Sequence, residues 1–152
     1  MPLMKSFLAL FSLMALVAWP GLSGSAAAST LIERAQGVWA DEEGKSNIEI
    51  APCGQYLCGN IVWLREPFDE AGNPKTDVNN PDASQRMRPL IGLTIIKGLE
   101  PNEDGDLLKG LVYNAQNGKV YDIYLDPGGA TMGVEGCFAK FLCGSQTWTR
   151  IR

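Results

Sequence analysis

The chain has 152 residues, of which 45% are hydrophobic, and it carries a formal net charge of −4 at pH 7. It contains no histidine, which excludes Ser-His and Cys-His catalytic arrangements and every histidine-based metal site. Its basic residues are not clustered, so the sequence offers no electrostatic footprint for a nucleic acid.

The N-terminal segment has the order of regions that an export signal requires. Lys5 is followed by an apolar run of roughly 13 residues, short of the ~20 that a spanning helix needs. Pro20 breaks this run, and small residues follow up to Ala28. We therefore predict a cleavable signal at residues 1–28 and one mature domain at residues 29–152. A retained membrane anchor is the alternative, but no second apolar run suggests a membrane span in the mature chain.

Four cysteines occur as two close pairs, Cys53 with Cys58 and Cys137 with Cys143. An even number of cysteines in an exported chain predicts disulfides. Of the three formal pairings we favour the two local ones, each stabilising the fold by roughly 2 kcal/mol. A zinc ion held by all four thiolates is the alternative, although zinc ribbons use tighter spacings and an oxidising compartment disfavours free thiolates. We expect a periplasmic or secreted protein that needs no metal or cofactor.

A short helix is predicted from Thr30 to about Gln36, because Thr30 and Glu33 fit a capping box. Beyond it, helical periodicity disappears, and short runs of β-branched and aromatic residues alternate with turn residues. The predicted strands cover residues 37–41, 47–53, 57–64, 90–99, 107–114, 120–126, 130–138 and 144–151. Asn117-Gly118 fits a type I′ hairpin turn, which needs two residues that tolerate positive φ.

The strand pattern predicts an all-β antiparallel barrel of about eight strands, since a meander of this length avoids exposed edges by closing on itself. First and last strands are neighbours in a closed barrel. We therefore predict that Arg150, on the last strand, covers the ring of Trp39, on the first. Gly37-Val38-Trp39 together with Arg150 resembles the G-x-W motif and closing arginine of the lipocalins and their calycin relatives.

Several longer segments follow one another in a characteristic order. They are Gly37-Val38-Trp39, Cys53-Gly54-Gln55-Tyr56-Leu57-Cys58-Gly59-Asn60-Ile61-Val62-Trp63-Leu64, Lys75-Thr76-Asp77-Val78-Asn79-Asn80-Pro81-Asp82, Arg88-Pro89-Leu90-Ile91-Gly92-Leu93 and Gln146-Thr147-Trp148-Thr149-Arg150. Over essentially the whole mature chain they resemble the exported bacterial family catalogued as domain of unknown function 2147. The resemblance implies a lipocalin-like fold without an assigned activity, and it does not extend to the Cys137 and Cys143 pair.

Residues 65–89 form the one long predicted loop, rich in Pro, Asn and Asp. Within it, Asp and Asn side chains that bond their own backbone would hold an ordered turn; ligand recognition at a barrel rim and a calcium site are the alternatives. Arg86 and Arg88 can form surface pairs with these carboxylates, usually worth under ~1 kcal/mol, or Arg88 can clamp a carboxylate or phosphate head group. The candidate rim residues are Asp77, Asn79, Asn80, Asp82 and Arg88.

Candidate wall residues, chosen by strand alternation with Trp39 inward, are Trp63, Tyr121, Ile123 and Met132. The predicted function is binding of a small apolar or amphipathic molecule. The alternative is an envelope interaction module with a filled barrel and a protein partner. Glu66, Asp69, Asp77 and Asp82 offer carboxylates for glycoside-type chemistry, but no nucleophile motif accompanies them, so we do not expect an enzyme.

Overall fold

The computed structural model describes residues 24–152, which form one helix and eight strands. The signal predicted at residues 1–28 lies outside the described residues except for its last part. The elements are α1 (Gly24–Ala35), β1 (Gly37–Ala40), β2 (Ser46–Cys53), β3 (Tyr56–Leu64), β4 (Thr94–Pro101), β5 (Leu108–Asn114), β6 (Lys119–Pro127), β7 (Thr131–Phe138) and β8 (Leu142–Arg150), with a single 3₁₀ turn at Ala83–Gln85. No helix in this range is long and apolar enough to cross a membrane.

Helix α1 begins earlier than the capping-box pattern predicted. Thr30 lies in the helix interior, so its prediction as the N-cap was wrong. Residues 26–28 are all alanine, the residue with the highest helix propensity, and they carry the helix back to Gly24.

The eight strands form a closed antiparallel barrel, as the sequence predicted, with each strand paired to its neighbours in chain order. β1 and β8 complete the circle through the pairs Trp39–Arg150 and Ala40–Thr149. β4 begins at Thr94 and not at residue 90, because residues 90–93 end the long loop in a turn with Gly92 at positive φ. The long connection between β3 and β4 therefore covers residues 65–93.

Helix α1 covers one end of the barrel, which we call the closed end. Trp39 is fully buried there, and its indole Nε1 donates a 2.8 Å hydrogen bond to the carbonyl of Ala35. The guanidinium carbon of Arg150 lies 4.1 Å from the centre of the Trp39 ring, the arrangement that the closed barrel predicted. The same guanidinium donates hydrogen bonds to three backbone carbonyls, those of Arg34, Gln36 and Gly129.

The half of the barrel next to α1 is filled by its own side chains. Its fully or almost fully buried residues include Ile50, Leu57, Ile96, Leu99, Leu108, Leu125 and Met132. Gly59 is part of this packing, because a Cβ at that position would lie 2.9 Å from the side chain of Ile96. The interior of the barrel at the closed end is thus a packed core.

Both local disulfides are present, so the favoured pairing is confirmed. Cys53–Cys58 spans the β2–β3 turn at the closed end, and Cys137–Cys143 spans the β7–β8 hairpin at the other end.

The hairpin predicted at Asn117-Gly118 forms, but its turn type was wrong. The turn comprises residues 115–118, and of the two predicted turn residues only Gly118 has a positive φ, +69°. The carbonyl of Asn114 accepts the N–H groups of both Asn117 and Gly118, which closes a longer turn than type I′.

Candidate functional site

The end of the barrel opposite α1, here called the open end, contains a cavity of about 680 Å³. This volume lies within the roughly 300–1,000 Å³ typical of small-molecule sites. Leu90 of the long loop and Leu142 of the β7–β8 hairpin also border it. Its aliphatic and aromatic wall includes Ile48, Ile61, Ile95, Val112, Ile123, Val134 and Trp148.

Two glycines on adjacent strands leave part of this space empty. Gly136 on β7 and Gly144 on β8 are register partners, and both border the cavity. A Cβ atom built on either glycine would meet no other atom within 4 Å. Because side chains alternate along a strand, Gly133 faces the opposite side of β7, where its nearest neighbour would be the Cβ of Asp126 at 3.5 Å.

Two of the four predicted wall residues, Tyr121 and Ile123, border the cavity. Met132 does not, since it is fully buried in the packed half. Trp63 does not either, and its predicted inward orientation was wrong: the residue is 44% exposed. A bulge shifts the β2–β3 register between Asn47 and Ile48, so that alternation past Ile61 is displaced by one residue.

Leu64 takes the inward position that alternation assigned to Trp63. It pairs with Ser46, and both residues border the cavity. Nothing in the local sequence of β3 signals the extra residue, so this exchange could not be read from the chain.

Polar groups around the cavity are mostly engaged with one another. The Asp41 carboxylate accepts the backbone N–H groups of Lys45 and Ser46, both at 2.8 Å. The Lys45 ammonium is paired with Glu43. The Tyr121 hydroxyl accepts a 2.8 Å hydrogen bond from the Asn117 side chain and keeps its own proton available.

Gln146, on β8, is one of the amide side chains that border the cavity. Its Oε1 accepts a 3.0 Å hydrogen bond from the indole N–H of Trp148, which leaves the amide N–H₂ free to donate. The cavity therefore combines an apolar wall with two neutral donors, on Tyr121 and Gln146.

The long loop is anchored to the barrel by Asp77, which is fully buried. One carboxylate oxygen accepts a 2.6 Å hydrogen bond from the hydroxyl of Tyr113 on β5. The other accepts from Nδ2 of Asn80 at 2.8 Å and from Nη2 and Nε of Arg88 at 2.9 and 3.1 Å. The sequence suggested a surface pair between Arg88 and this carboxylate. In the structure the Asp77 side chain is fully buried, whereas the Arg88 side chain is 38% exposed.

These contacts decide the ionisation of both partners. Burial acts to raise the pKa of Asp77, but the hydrogen bonds from Tyr113, Asn80 and Arg88 outweigh it and hold the pKa below its ordinary value. Burial, together with the hydrogen bond to the Asp77 carboxylate, raises the pKa of Tyr113 above its ordinary value. The cluster is therefore a charged carboxylate held by a neutral phenol, an amide and a guanidinium.

The other predicted rim residues also serve the loop itself. Nδ2 of Asn79 donates to the carbonyls of Ala115 and Gln116, which ties the loop to the β5–β6 turn. Oδ1 of Asp82 accepts from the backbone and hydroxyl of Ser84 and caps the 3₁₀ turn. None of the five predicted rim residues borders the open-end cavity.

The carboxylates considered for acid–base chemistry are not gathered into one site. Glu66 pairs with Lys75 at 3.4 Å, and Asp69 accepts the backbone N–H groups of Ala71 and Asn73 within its own turn. Hydrogen bonds hold the pKa of Asp69 and of Asp82 below their ordinary values. A general acid needs the opposite shift.

Glu135, Cys137 and Cys143 bring three ligand-type atoms within 4.8 Å of one another. Both sulfurs belong to the same disulfide, so neither is a thiolate that could bind a metal.

Tyr113 is one of the site residues that the sequence did not indicate. Tyr113 contacts Asp77 across 36 residues of chain and also borders the cavity. No sequence spacing signals such a contact, because it depends on how the loop returns across the open end.

The closed eight-stranded barrel, with a covering helix and an Arg–Trp pair at one end, defines a lipocalin-like β-barrel protein. Its architecture is similar to that of protein HP1028 from the human pathogen Helicobacter pylori, described as belonging to the lipocalin family, with a TM-score of 0.64 and 20% sequence identity. The similarity covers 77% of this chain and 82% of that protein, and at this identity it shows the fold alone.

The chain belongs to the family of uncharacterized proteins conserved in bacteria known as DUF2147, whose model matches residues 37–150. No curated protein matches the chain.

Proposed function

We propose that this protein binds a small apolar or amphipathic molecule in the open-end cavity, outside the cytoplasm. The observation that carries the proposal is the 680 Å³ cavity with its wall of aliphatic and aromatic side chains. Burying about 200 Å² of ligand apolar surface there would contribute on the order of 5 kcal/mol before the entropy of association is subtracted. The free donors on Tyr121 and Gln146 would orient an acceptor group of the ligand.

The proposal treats the protein as a carrier and not as an enzyme. The cavity is bordered by one carboxylate, that of Asp41, and both of its oxygens already accept hydrogen bonds from the β1–β2 loop. Asp69, Asp77 and Asp82 are ionised and committed to loop geometry. This arrangement favours binding over acid–base chemistry.

A periplasmic or secreted location is part of the proposal. Two disulfides fit an oxidising compartment, and the apolar N-terminal run with small residues after it fits an export signal. The alternative, an envelope interaction module with a filled barrel, is disfavoured because only the closed half of the barrel is filled.

The experiment adds side chains to the cavity at the two glycines that border it, Gly136 and Gly144. Gly136→Val and Gly144→Val each place a β-branched side chain in the open space, where no atom obstructs it and neither φ is positive. Titration with a neutral fluorescent probe, N-phenyl-1-naphthylamine, measures binding by the purified protein, and native mass spectrometry of protein prepared from the periplasm detects a co-purified molecule. We expect each variant to weaken probe binding about tenfold or more.

Gly133→Val is the matched control, because it adds the same side chain to the outer face of the same strand. It should leave the affinity for the probe unchanged. Probe binding that is absent in the wild type, or that all three variants reduce equally, would contradict a cavity site.

A further inference from the structure

The tip of the β7–β8 hairpin carries the most exposed aromatic residue among those described. Phe141 is 76% exposed, Leu142 is 60% exposed, and Val120 at the open-end start of β6, the strand next to β7, is 52% exposed. Contiguous exposed apolar side chains are unusual on a monomeric surface and mark contact with an apolar partner. These three residues, with Phe138, are called the tip surface below.

The hairpin stands clear of the rest of the barrel on one side. β1 pairs with β8 only at Arg150 and Thr149, and the last contact from the β1–β2 loop is the Glu42 carboxylate, which accepts the N–H of Thr147. From Thr147 to Leu142, β8 continues for about 17 Å at the usual rise of a strand. The disulfide Cys137–Cys143 clamps this projection directly below its tip, so the apolar side chains are presented on a stiff element.

Charges at the tip are positive. Lys140 lies in the turn itself, and the ammonium of Lys119 lies 5.1 Å from the centre of the Phe138 ring. The nearest carboxylates lie at the level of the disulfide below the tip: Asp122 on β6 pairs with Cys137, and the Glu135 carboxylate lies within 4.8 Å of both disulfide sulfurs. An apolar tip with two cations beside it and its anions further down the strands matches the layered chemistry of an anionic bilayer, in which lysine stems extend to the headgroups.

We propose that the tip surface docks on a lipid bilayer containing anionic headgroups, with the open end of the barrel facing the membrane. Leu142 and Cys143 border the cavity. Insertion of the tip would therefore place the cavity entrance against the acyl chains, so that an apolar ligand could pass between the membrane and the cavity without crossing water. The transfer of a ligand at the membrane rests on the proposed function. The docking itself does not, because vesicle binding requires no ligand.

The test is co-sedimentation of the full mature chain with vesicles of phosphatidylglycerol and phosphatidylethanolamine, and separately with vesicles of phosphatidylcholine. We expect binding to the anionic vesicles that weakens with salt. Phe141→Ser should lower the partition coefficient about tenfold through lost apolar burial. The double substitution Lys119→Gln with Lys140→Gln should lower it about tenfold on anionic vesicles and leave binding to phosphatidylcholine unchanged.

Ile151→Ser is the control, since Ile151 is 55% exposed but lies at the closed end. It should partition like the wild type. Wild-type protein that stays in the supernatant with anionic vesicles overturns the docking proposal, as does an equal loss for Phe141→Ser and Ile151→Ser. Two independent measurements keep the proposals apart. Binding of N-phenyl-1-naphthylamine in vesicle-free solution, compared between wild type and Gly136→Val, tests the cavity, and vesicle binding tests the tip surface.

Discussion

The hydroxyl of Tyr113 donates a 2.6 Å hydrogen bond to the carboxylate of Asp77, which lies 36 residues earlier in the chain. This contact joins the long β3–β4 loop to the fifth strand and places Leu90 of that loop beside the cavity. Asp77, the most buried polar residue in the described part of the chain, thus shapes the open end without bordering the cavity.

Replacement of Asp77 by Asn should destabilise the protein by about 3 kcal/mol. The substitution removes the charge that Arg88 faces and turns an amide N–H₂ toward donors that need an acceptor. Urea denaturation of the two proteins measures the difference. Asp104→Asn, in the exposed β4–β5 turn, should change stability by less than about 0.5 kcal/mol. Equal stability of Asp77→Asn and wild type would mean that the loop does not depend on this carboxylate.

The same cluster predicts how stability depends on pH. Because the pKa of Asp77 is lowered in the folded state, its stabilisation is present above the unfolded value of about 4 and is lost as the pH falls through the folded value. The raised pKa of Tyr113 contributes stability below about pH 10 that is lost as the pH rises through its folded value.

Denaturation midpoints measured across the pH range test both the loss of stability in acid and the loss of stability in alkali. Asp77→Asn should weaken the acid dependence, while the contributions of Asp69 and Asp82 remain in both proteins. Tyr113→Phe should weaken the alkaline dependence. If the stability of Asp77→Asn falls with acid as steeply as that of the wild type, the acid dependence comes from other carboxylates.

Gly118→Ala should be more destabilising than the equivalent change at Gly105. Both glycines have φ near +70°, so an alanine at either position incurs the same backbone strain, on the order of 1 kcal/mol. Only at Gly118 would the added Cβ also collide with another atom, the carbonyl oxygen of Asn79, at 2.1 Å. We expect a difference of about 1–2 kcal/mol in thermal or urea unfolding, because the loop must move away from the β5–β6 turn. Equal losses of stability for Gly118→Ala and Gly105→Ala would show that the long loop moves away from residue 118 without an energetic cost.

Arg150→Ala should cost about 2–4 kcal/mol, since it removes a cation over the Trp39 ring and leaves three backbone carbonyls without their donor. Arg150→Lys should recover part of the loss, because a lysine keeps the charge but not the planar fork. Urea denaturation of the two variants and the wild type measures both differences. A wild-type midpoint for Arg150→Ala would mean that α1 and the β1–β8 pairing suffice.

The closed end was predictable because its signals are local or imposed by closure. Alternating apolar residues at Ile48 and Ile50, and turn residues between the strands, predicted the meander. Once an eight-stranded meander closes, first and last strands must be neighbours, which places Arg150 beside Trp39. The Cys53–Cys58 disulfide at this end was favoured because only a short loop separates the two cysteines.

The open end was less predictable because one-residue events control it. The β2–β3 bulge exchanged Trp63 for Leu64 at the wall, and a four-residue turn replaced the expected type I′ turn at Asn117-Gly118. The five predicted rim residues form the ordered turn that the sequence favoured, but none of them borders the cavity, and their partners, such as Tyr113, lie too far along the chain for any spacing rule.

By itself the sequence predicted the strand order and the closure of the barrel and favoured the local pairing of the cysteines, since hydrophobic alternation, turn chemistry and loop length act between near neighbours. Only the tertiary structure decided that the barrel is filled at one end and open at the other. That outcome depends on which side chains meet across the interior, where Gly59 admits Ile96 at the closed end and the Gly136–Gly144 pair leaves space unfilled at the open end. Packing density is set by neighbours in space, and the chain order does not encode it locally.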